Sequence, residues 1–158
     1  MDPFPSCICT TVGAKALTVL LENSGTGTYK DSHPWLVALE LFYQASEAGQ
    51  GLAILFATGQ PSEFSHWGFV ERIDVVELHR ATWETACTFT QLQPVNPIWT
   101  SLDSVFLMPS EYRMKRELLE EIHQHRYGLT EGEIRPYAIC ETPPFCSKQK
   151  VASVDGAT

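Results

Sequence analysis

The chain has 158 residues, 44% of them apolar, and a formal net charge of −8. That length fits one domain, which buries roughly 70% of its unfolded surface and needs no metal or disulfide to fold. The acidic balance disfavours broad, nonspecific binding to DNA or to an anionic membrane, since both need a positive surface; a local basic groove stays open.

No apolar run approaches the ~18 residues of a membrane span. The opening, MDPFPSCICTTVGAKALTVLL, has no basic region ahead of a long apolar core, so it is not read as a signal peptide. Five cysteines without a secretory signal point to reduced thiols in a cytoplasm. Cys7 and Cys9 lack a second Cys or His pair at zinc spacing, so neither metal nor cofactor is expected.

Residues 1–10, rich in Pro, Ser and Cys, are expected to form a flexible terminus. A single domain over 11–146 follows, then a disordered polar tail over 147–158. NSGTGTYKDSH, after the first apolar segment, reads as a loop. A helix is predicted over 33–48, capped by Asp31 or Ser32 and stopped by Gly49. Its buried stripe is Trp35, Leu39, Phe42 and Ser46, flanked by Leu36 and Tyr43.

GLAILFATG is a short apolar run between glycines and reads as a central strand. HWGFVERIDVVEL, residues 66–78, reads as a long strand. Trp67, Phe69, Ile73 and Val75 would share one side of it, and Val70, Val76 and Leu78 the other. Glu71-Arg72 breaks its apolar pattern, which suits a bent strand with a bulge. Further strands are expected at 87–93, about 103–108 and 134–141, with a second helix over about 110–127. The fold class is α+β: a small, partly open β-barrel with two main flanking helices.

Several side chains invite chemistry. Trp67 opens a strand after the turn-rich GQPSEFSH, beside Ser65 and His66. It reads either as core or as the wall of a pocket for a flat ring. On the last strand Arg135 and Tyr137 face one side and Cys140 the other, presenting a cation and a ring together. Pro136 marks that strand as an edge. Arg113, Lys115 and Arg116 open the second helix and read as a solvated face or as contacts to a nucleic-acid backbone. His123 and His125 would point to nearly opposite sides of that helix and share no metal.

A helix, then LAILFATG, HWGFVERIDVVEL and a late IRPYAICETPPF together resemble the PUA-like superfamily over roughly residues 33–145. The EVE, YTH and ASCH branches are the nearest, and the ending is similar to that of small uncharacterised bacterial proteins. The resemblance centres on Gly68, Val70 and Ile73 of the long strand. It implies a small barrel with a pocket beside an aromatic residue. The expected function is a non-enzymatic module recognising, in a barrel pocket, a nucleic-acid base, ordinary or modified, or a nucleotide-like ligand. The expected ligand residues are Trp67, Ser65, His66, Arg135 and Tyr137. Expected partners are single-stranded or modified nucleic acid, or a nucleotide, and no membrane. Two alternatives stand beside this reading. One is a small hydrolase of nucleoside-like substrates, using Cys140, His66 and Glu71. The other is an acidic subunit that binds a basic protein partner in a bacterial defence or toxin–antitoxin system.

Overall fold

The structure, a computed structural model, describes residues 2–22, 26–108 and 127–147. The predicted second helix, with Arg113, Lys115, Arg116, His123 and His125, lies outside the described residues, as do residues 148–158 of the predicted tail.

The described elements run β1 (Ser6–Thr11), α1 (Ala14–Glu22), β2 (Thr26–Asp31), α2 (Leu36–Glu47), β3 (Ala53–Thr58), β4 (Glu63–Glu77), β5 (Trp83–Thr90), β6 (Gln93–Pro94) and β7 (Ala138–Glu141). Single 3₁₀ turns occupy Pro97–Trp99 and Leu102–Ser104. The seven strands form one mixed sheet in the order β2-β5-β4-β3-β1-β7, with β6 added against β4. Only β1 and β3 pair in parallel. The architecture is α+β and the sheet is not closed on itself.

The apolar run AILFAT forms β3, central as predicted and buried on both faces. Its neighbour β1 corrects the expectation of a loose N-terminus. Ser6 to Thr10 are all buried, and β1 lies between β3 and β7. SCICTT carries small side chains, and these fit a strand walled in on both sides. Alternation divides the core between the two faces. Cys7, Cys9, Ala53, Leu55 and Ala57 join Phe64, Trp67, Ala138, Cys140 and Cys146 on one face. Ile8, Ile54 and Phe56 join Trp35, Phe89 and the helix residues Leu17, Leu20, Ala38 and Ala45 on the other.

The expected loop after α1 is instead the edge strand β2. It pairs with β5 from Thr26↔Thr90 to Asp31↔Thr85. Gly27 permits this, because a Cβ there would meet Cε1 of Phe89 at 3.0 Å. Helix α2 begins later than predicted, and Asp31 does not cap it. The Asp31 carboxylate instead accepts the indole N–H of Trp35 at 2.7 Å. Trp35, Ala38 and Ala45 form the buried stripe, with Leu39, Leu41 and Phe42 partly buried against it, while Leu36, Tyr43 and Ser46 are exposed. The alanines let α2 lie close to the sheet.

Strand β4 runs 15 residues and carries the predicted bulge: its register to β5 shifts between Val70 and Arg72. A second shift, between His66 and Phe64 opposite Phe56 and Ala57, leaves Ser65 as the extra residue. Each inserted residue flips the side-chain parity. Trp67 and Phe69 therefore point into one core, and Val70, Ile73 and Val75 into the other. Ile73 and Val75 do not share a face with Trp67 and Phe69 as expected, because the bulge at Glu71-Arg72 changes the buried face of the strand.

Strand β5 begins four residues before its predicted start. The strand expected near 103–108 is a 3₁₀ turn followed by isolated bridges, Phe106↔Gly128 and Leu107↔Cys140. The last strand is shorter than predicted. Residues 131–136 form a turn and bends, and β7 starts only at Ala138. Proline has no N–H to give a ladder, and here Pro136 stands outside the strand.

Candidate functional site

The carboxyl ends of a sheet's parallel strands are where ligands are commonly held. In this chain the parallel pair ends at Thr11 and Thr58, and a cleft of about 300 Å³ opens there. Its wall is formed by Thr11, Val12, Gly13 and Ala14, by Thr58, Gly59, Gln60 and Ser62, and by Arg135. Three segments far apart in sequence meet at this point.

The first is the β1–α1 junction. The Val12 N–H donates to the carbonyl of Ala57 at 2.9 Å, which fixes the end of β1 against β3. The chain then turns at once into α1, whose first residue Ala14 lines the cleft. Beneath it the hydroxyl of Tyr29 donates to the carbonyl of Thr11 at 3.0 Å. Burial, and then the nearby Asp31 carboxylate, raise the Tyr29 pKa, so this phenol stays protonated as a donor at neutral pH.

The second segment is the β3–β4 turn, TGQPS. Gly59 takes φ of +96°, a conformation that favours glycine, and the Gln60–Pro61 bond is cis. Ser62 is buried, and its hydroxyl reaches the carbonyl of Gly59 at 3.3 Å.

The third is the turn before β7. The carbonyl of Pro136 accepts from the Thr10 hydroxyl at 2.7 Å, which ties this turn to β1. Glu131 accepts from the N–H of Ser62 at 2.5 Å and from its hydroxyl at 3.2 Å. Nη1 of Arg135 stands 3.6 Å from the same carboxylate. The two bonds from Ser62, backbone first, hold the Glu131 carboxyl below the usual carboxylate range, and Arg135 adds to this. Arg135 keeps about half of its side chain exposed, so it is free to face a ligand.

The sequence-predicted residues do not converge on this cleft. Only Arg135 lines it. Trp67 is 4% exposed and packs edge-on against Phe69 at 5.2 Å and Phe145 at 6.1 Å. Tyr137 lies across the sheet in the other core, its ring 4.7 Å from Trp35 and its hydroxyl accepting from the Ala38 N–H at 3.4 Å. Ser65 and His66 sit in β4, where the Ser65 Oγ is 2.6 Å from Nδ1 of His66. Burial lowers the His66 pKa, so its ring is neutral at pH 7. A second cleft, of about 210 Å³ between Trp99, Phe106, Pro143 and Pro144, takes in none of these residues.

Cys140 faces away from Tyr137, as the alternation predicts, and is fully buried with Cys7, Cys9 and Cys146. Sγ of Cys7 is 4.0 Å from that of Cys9. Burial first, and then hydrogen bonds with Cys140 and Cys7, push the Cys9 thiol well up; burial also raises Cys146, and takes Cys87 to about 12. Thiols held this way are poor nucleophiles. Among the described residues no group of three or more His, Cys, Asp or Glu side chains could hold a metal. No described helix is long and apolar enough to cross a membrane.

Sequence reasoning missed Thr11, Thr58, Gln60, Ser62 and Glu131. One signal was available: a Gly-x-Pro turn separating two strong strand patterns marks a fixed loop at a sheet end. Against known proteins, no family model, no curated protein and no solved structure matches the chain.

Proposed function

We propose that this protein is a non-enzymatic recognition module that holds a nucleobase or nucleoside-like ligand in the cleft at the ends of β1 and β3. The observation that carries this reading is the convergence of Thr11, Thr58, Gln60, Ser62 and Arg135 on one cleft of about 300 Å³. That volume stands at the lower end of small-molecule sites. The polar side chains offer donors and acceptors suited to the edge of a base. Among the described residues no aromatic ring stands in the wall, and the planar guanidinium of Arg135 takes the stacking role. The resemblance of the sequence to PUA-like domains supports the ligand class; the pocket it implies, beside the aromatic Trp67, is a different place from this cleft.

The test is a calorimetric titration of the protein with nucleosides and short single-stranded oligonucleotides carrying ordinary and modified bases. The expected result is saturable 1:1 binding to at least one of them, weakened about tenfold or more by Arg135→Gln. A panel without any binding overturns the reading.

A hydrolase is the second reading, and the 2.6 Å approach of Ser65 to a neutral His66 is what favours it. Among the described residues, no carboxylate or thiol lies within hydrogen-bond reach of that imidazole, so nothing there orients it as a base. A fluorophosphonate probe distinguishes the two readings: covalent labelling lost in Ser65→Ala favours the hydrolase.

A further inference from the structure

We infer that Glu131 sets the charge selectivity of the cleft, holding the place of a ligand's anionic group and so favouring uncharged bases and nucleosides over their phosphates. The inference rests on the cleft being the recognition site proposed above.

Two hydrogen bonds, from the Ser62 backbone N–H and the Ser62 hydroxyl, meet on the Glu131 carboxylate, and the Arg135 guanidinium forms an ion pair with it at 3.6 Å. A backbone amide, a hydroxyl and a guanidinium are the donor set with which proteins hold a phosphate or carboxylate. Both partner residues, Ser62 and Arg135, belong to the cleft wall, and Glu131 stands beside them in the turn before β7. The chain thus satisfies its own oxyanion site.

Two consequences follow for a ligand. Among the described residues Arg135 is the one charged residue of the wall, and Glu131 balances it, so these residues present little net charge to the cleft. An incoming phosphate must either displace Glu131 from Ser62 and Arg135 or sit beside it as a like charge. A neutral ligand does neither. It uses the threonines, Gln60 and the face of the guanidinium while the Glu131 contacts stay in place. The Ser62 bonds also brace the β3–β4 turn against the turn before β7, so the same carboxylate positions two sides of the cleft.

The experiment compares wild type, Glu131→Gln and the double variant Glu131→Gln/Arg135→Gln by calorimetry. The probes are inorganic phosphate and a panel of matched nucleosides and nucleoside 5′-monophosphates. Glutamine keeps an oxygen for the Ser62 N–H and removes the charge. Glu131→Ala, which also frees Ser62, is the second variant should the first fail to fold. Wild type is expected to prefer nucleosides to their monophosphates. Glu131→Gln is expected to tighten phosphate and monophosphates by about tenfold, with a gain that shrinks as salt rises. The double variant is expected to lose that gain.

A wild type that binds monophosphates as well as nucleosides overturns the inference. So does a Glu131→Gln protein whose affinities for phosphate and monophosphates are unchanged. The outcomes separate the two claims. Nucleoside binding with an unmoved phosphate ratio leaves the recognition reading standing and removes the role of Glu131. A gain of phosphate binding in Glu131→Gln, with no nucleoside bound by any variant, sustains the charge control and removes the base-recognition reading. Binding of none of the probes by any variant overturns both.

Discussion

The two faces of the β1–β3 pair are built from different materials. One is lined by small side chains, Cys7, Cys9, Ala53, Ala57, Ala138 and Cys140, and is filled from above by Phe64, Trp67 and Phe145. The other is a web of rings beneath α1 and α2, in which Phe56 touches Tyr29 and Phe89, and Trp35 touches Tyr29 and Tyr137. Different as they are, both faces are packed. The polar cleft lies at neither face but past the last residues of the strands. In this molecule the large aromatics fill the two cores, and modest polar residues line the cleft at the strand ends.

Four substitutions or conditions put that division under strain, from the heaviest expected effect on stability to the lightest. Trp67→Ala empties the middle of the cysteine-lined face and is expected to cost about 3–5 kcal/mol in urea unfolding. Nucleoside affinity of the remaining folded protein should stay near wild type. A well-folded Trp67→Ala protein that has lost binding would break the division. Cys9→Ser tests the same face by chemistry instead of volume. It puts a hydroxyl where the thiol has only other thiols around it, at a cost of about 1–3 kcal/mol; a neutral result would mean that this face is wetter than its burial implies.

Arg135→Gln addresses the strand ends. Half exposed, it should move stability by no more than about 0.5 kcal/mol while removing most ligand affinity. The lightest effect is in pH. Glu131 has a lowered pKa in the folded protein, so its stabilisation is complete above the ordinary carboxylate range and is lost as pH falls through the lowered value. Melting curves of wild type and Glu131→Gln should therefore differ at neutral pH and converge in acid. Curves that stay parallel down to the most acid pH would show that the Glu131 charge adds no pH-dependent stability.

Much of the scaffold could be read from residues alone. AILFAT announces a doubly buried strand by being apolar throughout, and Glu71-Arg72 announces a bulge by breaking a pattern that then resumes out of phase. The N-terminal strand could not be read this way. SCICTT is short and built of small residues, and its role depends on β3 and β7 closing over it. The cleft was hidden for a related reason. A threonine ending a strand, a glutamine in a turn and a glutamate in another turn are ordinary where they stand in the chain. They become a site only because β7 returns to β1 across more than a hundred residues. Arg135 was legible because a cation beside proline at the start of an apolar strand needs a reason to be there. Trp67 was legible as important, but a ring that large identifies a packing centre as readily as a ligand wall.

The pairing of Ser6 with Glu141 also governs how the protein is made. β1 leaves the ribosome long before β7, so Cys7-Ile8-Cys9 carries an open edge until Ala138–Glu141 has been made. A fragment ending before Ala138 keeps that edge open permanently and is an aggregation hazard. The same edge makes the protein a natural candidate for splitting into two pieces. A peptide carrying residues 138–146 meets a waiting groove beside β1, and its capture would report, strand by strand, on whether the rest of the sheet has formed.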